Sequence, residues 1–274
     1  MARPDHVVVR FSITMKMDFR TQCRMFVRSL FIQGAWDYER AQGLGFAWCL
    51  DPWLKGLYPR GGQELKNARQ RHMEYFNTQP YMAGIVLGAA ARMEESAARH
   101  PTPALENRIV QVKKSMEAAL AGIGDPLFWG AWRPLCAALA MALVFALPTA
   151  HQRPVVFGVV VYLILYNILA QWFRWSGIRW GYEFGEQVAE RLKRLDLQRS
   201  LRRIRYSGLI LAAFAVIATV AVPILRGGAG ALWPVFVRGS LLLMCLAMKR
   251  MRWTALRAYG ALTALAIGAA LALP

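Results

Sequence analysis

Residues 154–173 run for twenty positions without a charged side chain. A helix rises about 1.5 Å per residue, so about twenty residues cross a hydrocarbon core of about 30 Å. Only a helix satisfies its own backbone within one such segment, and no alternating ten-residue pattern suggests a barrel. A run at 127–147 is broken only by Arg133, and a third covers 207–225. Two weaker ones follow, 231–248 with Arg238 and 258–273. The expected fold is an all-α membrane protein with about four to five transmembrane helices in its C-terminal half.

The basic residues support this reading and exclude another. A net charge of +18 raises the question of nucleic acid. Yet 17 of the 34 Lys and Arg lie in residues 1–126 and nine in 174–206, between apolar runs that a globule of this size does not need. No nucleic-acid partner is expected. The links after successive spans carry one, nine, one and four basic residues (149–153, 174–206, 226–230 and 249–257). Basic loops stay in the cytoplasm, so the N-terminus is expected inside and the C-terminus outside. Val7–Val9 is too short for the apolar core of a signal peptide, and a bacterial inner membrane is the expected location. Residues 1–126 should form an amphipathic and re-entrant helical part on the cytoplasmic side. Residues 127–274 should form the membrane part, with a cytoplasmic loop at 174–206.

Within the N-terminal part, Arg20, Arg24 and Arg28 stack on one helical face, with Phe26, Val27, Leu30 and Phe31 on the other. That pattern suits either an anionic membrane surface or an ordinary solvated face over a buried stripe. A charged helix is expected at 64–76. Another should start at Thr102, an N-cap followed by Pro103, with Leu105, Ile109, Val112 and Met116 as its buried stripe. Residues 81–91 are apolar but too short to span, which suggests a re-entrant or interfacial hairpin. Gly34, Gly43, Gly45, Gly84 and Gly88 permit turns or close helix contacts.

The four cysteines, Cys23, Cys49, Cys136 and Cys245, have no metal or disulfide spacing and read as packing residues. His72 lies between Arg71 and Glu74 and reads as a helix-surface residue. No metal, cofactor or catalytic residue is expected, and the glycines at 122 and 124 lack the GK[ST] of a phosphate loop. No carboxylate occurs between Asp125 and Glu183 or after Asp196. An ion-coupled carrier needs such groups near mid-membrane, so transport coupled by this chain alone is not expected and the driving force must come from elsewhere.

Two constellations carry binding chemistry. Phe76-Asn77-Thr78-Gln79-Pro80-Tyr81 sets amides beside aromatics, a combination suited to a neutral polyol, although Asn77 and Thr78 also fit a simple turn before Pro80. Gly122-Ile123-Gly124-Asp125-Pro126-Leu127-Phe128-Trp129 lies at the membrane entrance, where glycines permit a break and Pro126 starts the next helix. Asp125 would there be an N-cap or a partner for Arg133. Trp36-Asp37-Tyr38-Glu39-Arg40 repeats the mixture within an expected amphipathic helix. Its Glu39 would pair with a neighbouring Arg or accept ligand hydroxyls.

These stretches, with Arg28 through Gly34, Leu44-Gly45-Phe46, Leu57-Tyr58-Pro59, Arg71 through Glu74, Leu120-Ala121 and Arg133-Pro134, resemble the IID subunit of the mannose/fructose/sorbose family of the bacterial phosphotransferase system (PTS). The resemblance runs from about residue 24 to the end, motif by motif to about 185 and by hydropathy beyond. It implies a membrane subunit that works with a IIC subunit to translocate a mannose-type hexose. Cytoplasmic IIA and IIB proteins would phosphorylate the sugar, so phosphoryl transfer belongs to the partners and no histidine here is a phosphocarrier. IIC–IID pairs would assemble further, in contact with membrane lipids. Glu39, Asn77, Gln79 and Asp125 are the expected polar contacts along the sugar path or partner interface. Trp36, Arg40, His72, Glu74, Phe76, Gly122, Gly124, Pro126, Trp129 and Arg133 are the expected motif or partner residues. Ala118-Ala119 stands where the family often has Gly-Pro, which implies a stiffer hinge, and the 226–230 link is shorter than the family's. An alternative is an orphan relative that docks PTS proteins for regulation without transport. An embedded enzyme lacks any nucleophile–base pair.

Overall fold

The computed structural model describes residues 17–146 and 153–187, together with 202–204, 206–208, 210 and 213. Among these the regular elements are helices: α1 (Phe19–Ser29), α2 (Gly43–Leu57), α3 (Gly62–His72), α4 (Ala83–Arg99), α5 (Pro103–Leu127), a π-helical turn (Phe128–Trp132), α6 (Arg133–Ala146) and α7 (Arg153–Phe184). The runs expected at 207–225, 231–248 and 258–273 and the 226–230 and 249–257 links lie outside the described residues, apart from the few positions just named. The chain divides into two compact units, Met1–Ala140 with Val159–Leu209, and Met141–Gly158 with Ile210–Pro274. The described core belongs to the first.

Local chemistry sets the helix starts. Asp18 accepts a hydrogen bond from the Thr21 N–H at 3.2 Å, and Thr102 Oγ1 accepts one from Leu105 at 3.2 Å with Pro103 behind it. Each satisfies one of the four donors a helix leaves open at its start. The α5 stripe is buried as its spacing predicts at Ile109, Val112 and Met116, while Leu105 is partly covered.

Several expectations fail for identifiable reasons. Helix α5 does not break at 122–126 but continues through Pro126. Pro removes one backbone donor, and the wide turn at Phe128–Trp132 follows directly, an arrangement in which a helix absorbs such a defect without ending. Pro103–Val144 is thus one continuous helical run of 42 residues. Asp125 is consequently neither an N-cap nor an ion-pair partner of Arg133. Helix α7 does not end at Phe173, so the loop expected at 174–206 starts no earlier than the 3₁₀ turn Gly185–Gln187. The charged helix expected at 64–76 occupies 62–72 instead, because the chain beyond it leaves the helix and Phe76 exchanges backbone hydrogen bonds with Arg40 and Gln42. Residues 36–40 form turns, not an amphipathic helix, since Asp37 Oδ1 binds the N–H groups of Glu39 and Arg40 at 2.9 and 2.6 Å.

The hairpin expected at 81–91 is the first half of α4, a single helix whose residues 83–91 are all buried. Its apolar character serves a crossing with α7. A Cβ added at Gly84 would strike the Arg174 carbonyl, and one at Gly88 the Ile178 carbonyl. Reciprocally, a Cβ at Gly181 would strike the Ile85 carbonyl, and one at Gly177 would sit 3.1 Å from the Ile85 nitrogen. Four glycines therefore bring the two backbones into direct contact, as small residues spaced by four allow.

One face of α7 is turned outward. Val159, Val160, Leu163, Ile164, Ile168 and Trp172 are large, apolar and exposed. Pro103–Val144 and Val156–Gln187 are both long and apolar enough to cross a membrane.

Candidate functional site

The structure brings two of the three polar constellations together. Gln42 N–H donates to the Phe76 carbonyl at 2.7 Å, and Phe76 N–H to the Arg40 carbonyl at 3.2 Å. The Gln42 side chain then holds both backbone groups of Thr78. Its Nε2 donates to the Thr78 carbonyl at 2.8 Å and its Oε1 accepts from the Thr78 N–H at 3.2 Å. Thr78 Oγ1 donates to the Glu117 carbonyl at 2.9 Å, tying the loop to α5. Ala41, between the clamped segments, has a φ of 51°, a left-handed conformation disfavoured for Ala and held by these bonds. Gln42 is invisible to motif reading, because its partner lies 36 residues away.

This clamp presents an exposed surface. Trp36 and Tyr38 meet edge to face at 5.0 Å, and Tyr38 is 95% exposed. Glu39, Arg40 and Asn77 are also exposed, and Glu39 joins no ion pair among the described residues. Gln79 is turned inward. Its Oε1 accepts from the Tyr81 N–H at 3.4 Å, its Nε2 has no partner, and its methylenes pack against Gly124. Asp125 and Gly122 are exposed on α5. The Arg133 guanidinium lies 5.7 Å over the Trp129 ring, and Trp129 in turn faces Tyr81 at 6.1 Å.

Phe76 is fully buried, 4.4 Å from Phe46, and beneath it lies a charged core. Arg71 grips Glu94 with Nε–Oε1 at 2.6 Å and Nη2–Oε2 at 3.2 Å, and also meets Glu106 at 3.1 Å. His72 Nε2 donates to Glu94 Oε1 at 2.8 Å, with both side chains fully buried. The expectation of a surface histidine is thus wrong, since its partner stands 22 residues away rather than beside it. Burial is the largest influence on His72 and keeps its pKa below the ordinary imidazole value, so the ring is neutral despite Glu94. Its Nδ1 is then an unprotonated acceptor without a partner. Burial alone would raise the Glu94 carboxyl, but the hydrogen bonds from His72 and Arg71 outweigh it and hold it below the usual range. Lys113 Nζ closes the end of α3 by donating to the Arg71 and His72 carbonyls at 3.3 and 3.4 Å. Glu74 is exposed and 3.7 Å from Lys114.

A second ionic group joins α1, α2 and α3. Asp51 pairs with Arg28 at 3.4 Å, Lys55 at 3.1 Å and Arg69 at 2.6 Å. Burial would raise its carboxyl, and hydrogen bonds from Arg69 and Lys55 overcome that and lower it. Cys49 packs nearby without reactivity, since burial pushes its thiol up to about 12.

The helical fold, its two spanning-length helices and its outward apolar face define an integral membrane protein built around a clamped polar loop pair. A family profile described as the PTS system mannose/fructose/sorbose family IID component matches residues 16–225, and the chain belongs to that family. It is 34% identical over 166 residues to the mannose-specific EIID component of Escherichia coli (strain K12), covering 61% of this chain and 56% of that protein. To the fructose permease IID component of Bacillus subtilis (strain 168) it is 30% identical over 203 residues, 73% of this chain and 70% of that one. The alignment thus spans a little over half the length of the Escherichia coli relative and more of the Bacillus one. Among solved structures, one of the mannose transporter ManYZ in complex with a microcin matches with a TM-score of 0.57 and 26% identity, covering 95% of this chain and 99% of its own. Another, titled a membrane protein, matches with a TM-score of 0.67 and 25% identity over 93% and 97%.

Proposed function

We propose that this chain, as the IID membrane subunit, pairs with a IIC subunit to translocate a mannose-type hexose in a bacterial plasma membrane. IIA and IIB proteins in the cytoplasm phosphorylate the sugar and so supply the driving force. The observation that carries the reading is the family match over residues 16–225, which includes the clamped loop pair and both spanning-length helices. The likeness to the ManYZ transporter over 95% of this chain supports pairing with IIC. The absence of any carboxylate between Asp125 and Glu183 supports an external engine. In this reading about four to five helices cross the bilayer, with the N-terminus and residues 1–126 cytoplasmic and the C-terminus outside. IIC–IID pairs assemble into a larger oligomer.

The exposed surface of Trp36, Tyr38, Glu39 and Asn77 fits hydroxyl-rich or protein partners, having aromatic faces beside one carboxylate and one amide. Glu39 and Asn77 contact the sugar path or the IIC subunit there. Gln79 supports that surface from below, and Asp125 contacts the partner from α5.

The test is uptake of labelled hexoses by cells that lack their own mannose-type permease. They express IIC, IIA and IIB partners with or without this chain. Sugar phosphate accumulating only in the full set is the expected result, with Asn77→Ala and Glu39→Ala reducing the rate while the chain still co-purifies with IIC. No uptake of any hexose or amino sugar, despite stable co-purification, overturns transport in favour of a docking role.

A further inference from the structure

An open groove of about 590 Å³ lies between the end of α1 and helix α2. That volume is in the range of small-molecule pockets. Its apolar walls include Phe31, Leu44, Ala47 and Trp48, and its polar lining is Asp51 and Arg69. Phe31 is 63% and Trp48 46% exposed, so large apolar side chains face out of the protein. The charge at the polar end does not balance. Asp51 and Arg69 line the groove, and Arg28 and Lys55, which lie outside the lining, also pair with Asp51, so three cations share one carboxylate, a surplus of two positive charges. Arg28 also lies 4.9 Å over the Trp48 ring, which links the cationic end to the apolar wall.

The depth of this groove follows from α7. Its charge-free stretch ends at Arg174, whose buried Nη1 donates to the carbonyl of Ser29, the last residue of α1. The next residue, Trp175, packs edge to face with Phe19 at 5.7 Å and Phe26 at 5.4 Å. Phe31 is two residues beyond Ser29. The groove therefore lies where α7 leaves the hydrocarbon, at the level of the lipid headgroups, where indole rings and cations concentrate.

We propose that the groove binds one anionic phospholipid, its acyl chain against Phe31, Leu44, Ala47 and Trp48 and its phosphate beside the surplus charge of Arg28 and Arg69. Apolar walls accept a chain of any polarity-free kind, and the cationic surplus selects among headgroups. A zwitterionic lipid brings its own cation to the same place and loses that attraction. The inference rests on the membrane placement proposed above.

The test uses the full chain in phosphatidylcholine vesicles. A small fraction of brominated phosphatidylglycerol or brominated phosphatidylcholine is added, and the fluorescence of Trp48 is obtained by difference from Trp48→Phe. Trp172, read the same way with Trp172→Phe, serves as the control on the outward face of α7. Trp172 should be quenched equally by both lipids. Trp48 should be half-quenched at about tenfold less phosphatidylglycerol than phosphatidylcholine. Arg28→Gln with Arg69→Gln should bring that ratio near one. Ala47→Leu, which fills the groove and leaves the charges intact, should remove Trp48 quenching by both. Glycerol phosphate added to the buffer should change nothing. Equal quenching of Trp48 by the two lipids in the unmodified protein overturns the site. So does loss of the preference with free glycerol phosphate, which marks a phosphate site. Protection of Trp48 from both lipids while Trp172 is quenched also overturns it and identifies protein as the occupant. Failure to quench Trp172 instead overturns the membrane placement.

Discussion

The two halves of α4 are held by opposite means. From Gly84 to Gly88 the helix has so little side chain that its backbone touches that of α7. From Glu94 to Glu95 it carries two buried carboxylates, each enclosed by charge or hydroxyl donors. Glu94 has Arg71 and His72, and Glu95 has Arg92, Arg99 and the Tyr182 hydroxyl at 2.6 Å. The first half depends on shape alone and tolerates a low dielectric without penalty. The second half tolerates it only while every partner stays in place. One helix thus shows two kinds of fragility, toward added volume at one end and toward a missing partner at the other.

The sharpest break is at the charged end. Glu94→Leu takes the buried carboxylate from His72 and leaves Arg71 only the partly exposed Glu106, and should lower stability by about 3–5 kcal/mol, read as a fall in the thermal unfolding midpoint of the detergent-solubilised protein. At the glycine end, Gly88→Val forces α4 from α7 and should cost about 1–3 kcal/mol in the same measurement. Gly181→Val should act alike. The double variant should then lose less than the sum, since the first change has already opened the crossing.

Acid separates the halves more finely. The folded pKa of His72 lies below its ordinary value of 6.5, so as pH falls below that value the unfolded chain takes up a proton that the folded one refuses. Glu94 is likewise held below its ordinary 4.5, and its contribution is lost as pH falls through its folded pKa. Stability should therefore decline on the acid side of about pH 6.5 and decline further below about 4.5. His72→Gln should remove the first step only, and Gly88→Val should leave both. The smallest effect lies at the junction. Trp53 Nε1 donates to the Ala91 carbonyl at 2.8 Å, and Trp53→Phe should cost about 1 kcal/mol, with equal acid sensitivity.

What could be read from the sequence follows the same division. The start of α5 was legible because Thr102 and Pro103 act within one turn, and its stripe because Ile109, Val112 and Met116 share a helical face. Gly84 and Gly88 were legible as sites of a turn or a close helix contact, but neither the choice between the two nor the identity of α7 as the neighbour could be read. Glu94 carried no signal of burial, since a carboxylate in a charged segment reads as solvated. His72 was misread for the same reason, its adjacent charges implying water where the fold supplies a distant carboxylate. The continuation of α5 through Pro126 was hidden because a proline after two glycines has the composition of a break. Only the π turn beyond it shows how the helix persists.

That persistence has a mechanical consequence. At about 1.5 Å per residue, the 42-residue run Pro103–Val144 is roughly 63 Å long, about twice the depth of a bilayer core. Tilting it by about 5° sweeps one tip roughly 5 Å relative to the other. Its charged foot is fixed to the rest of the protein by Arg71 on Glu106 and by Arg108 on Glu186.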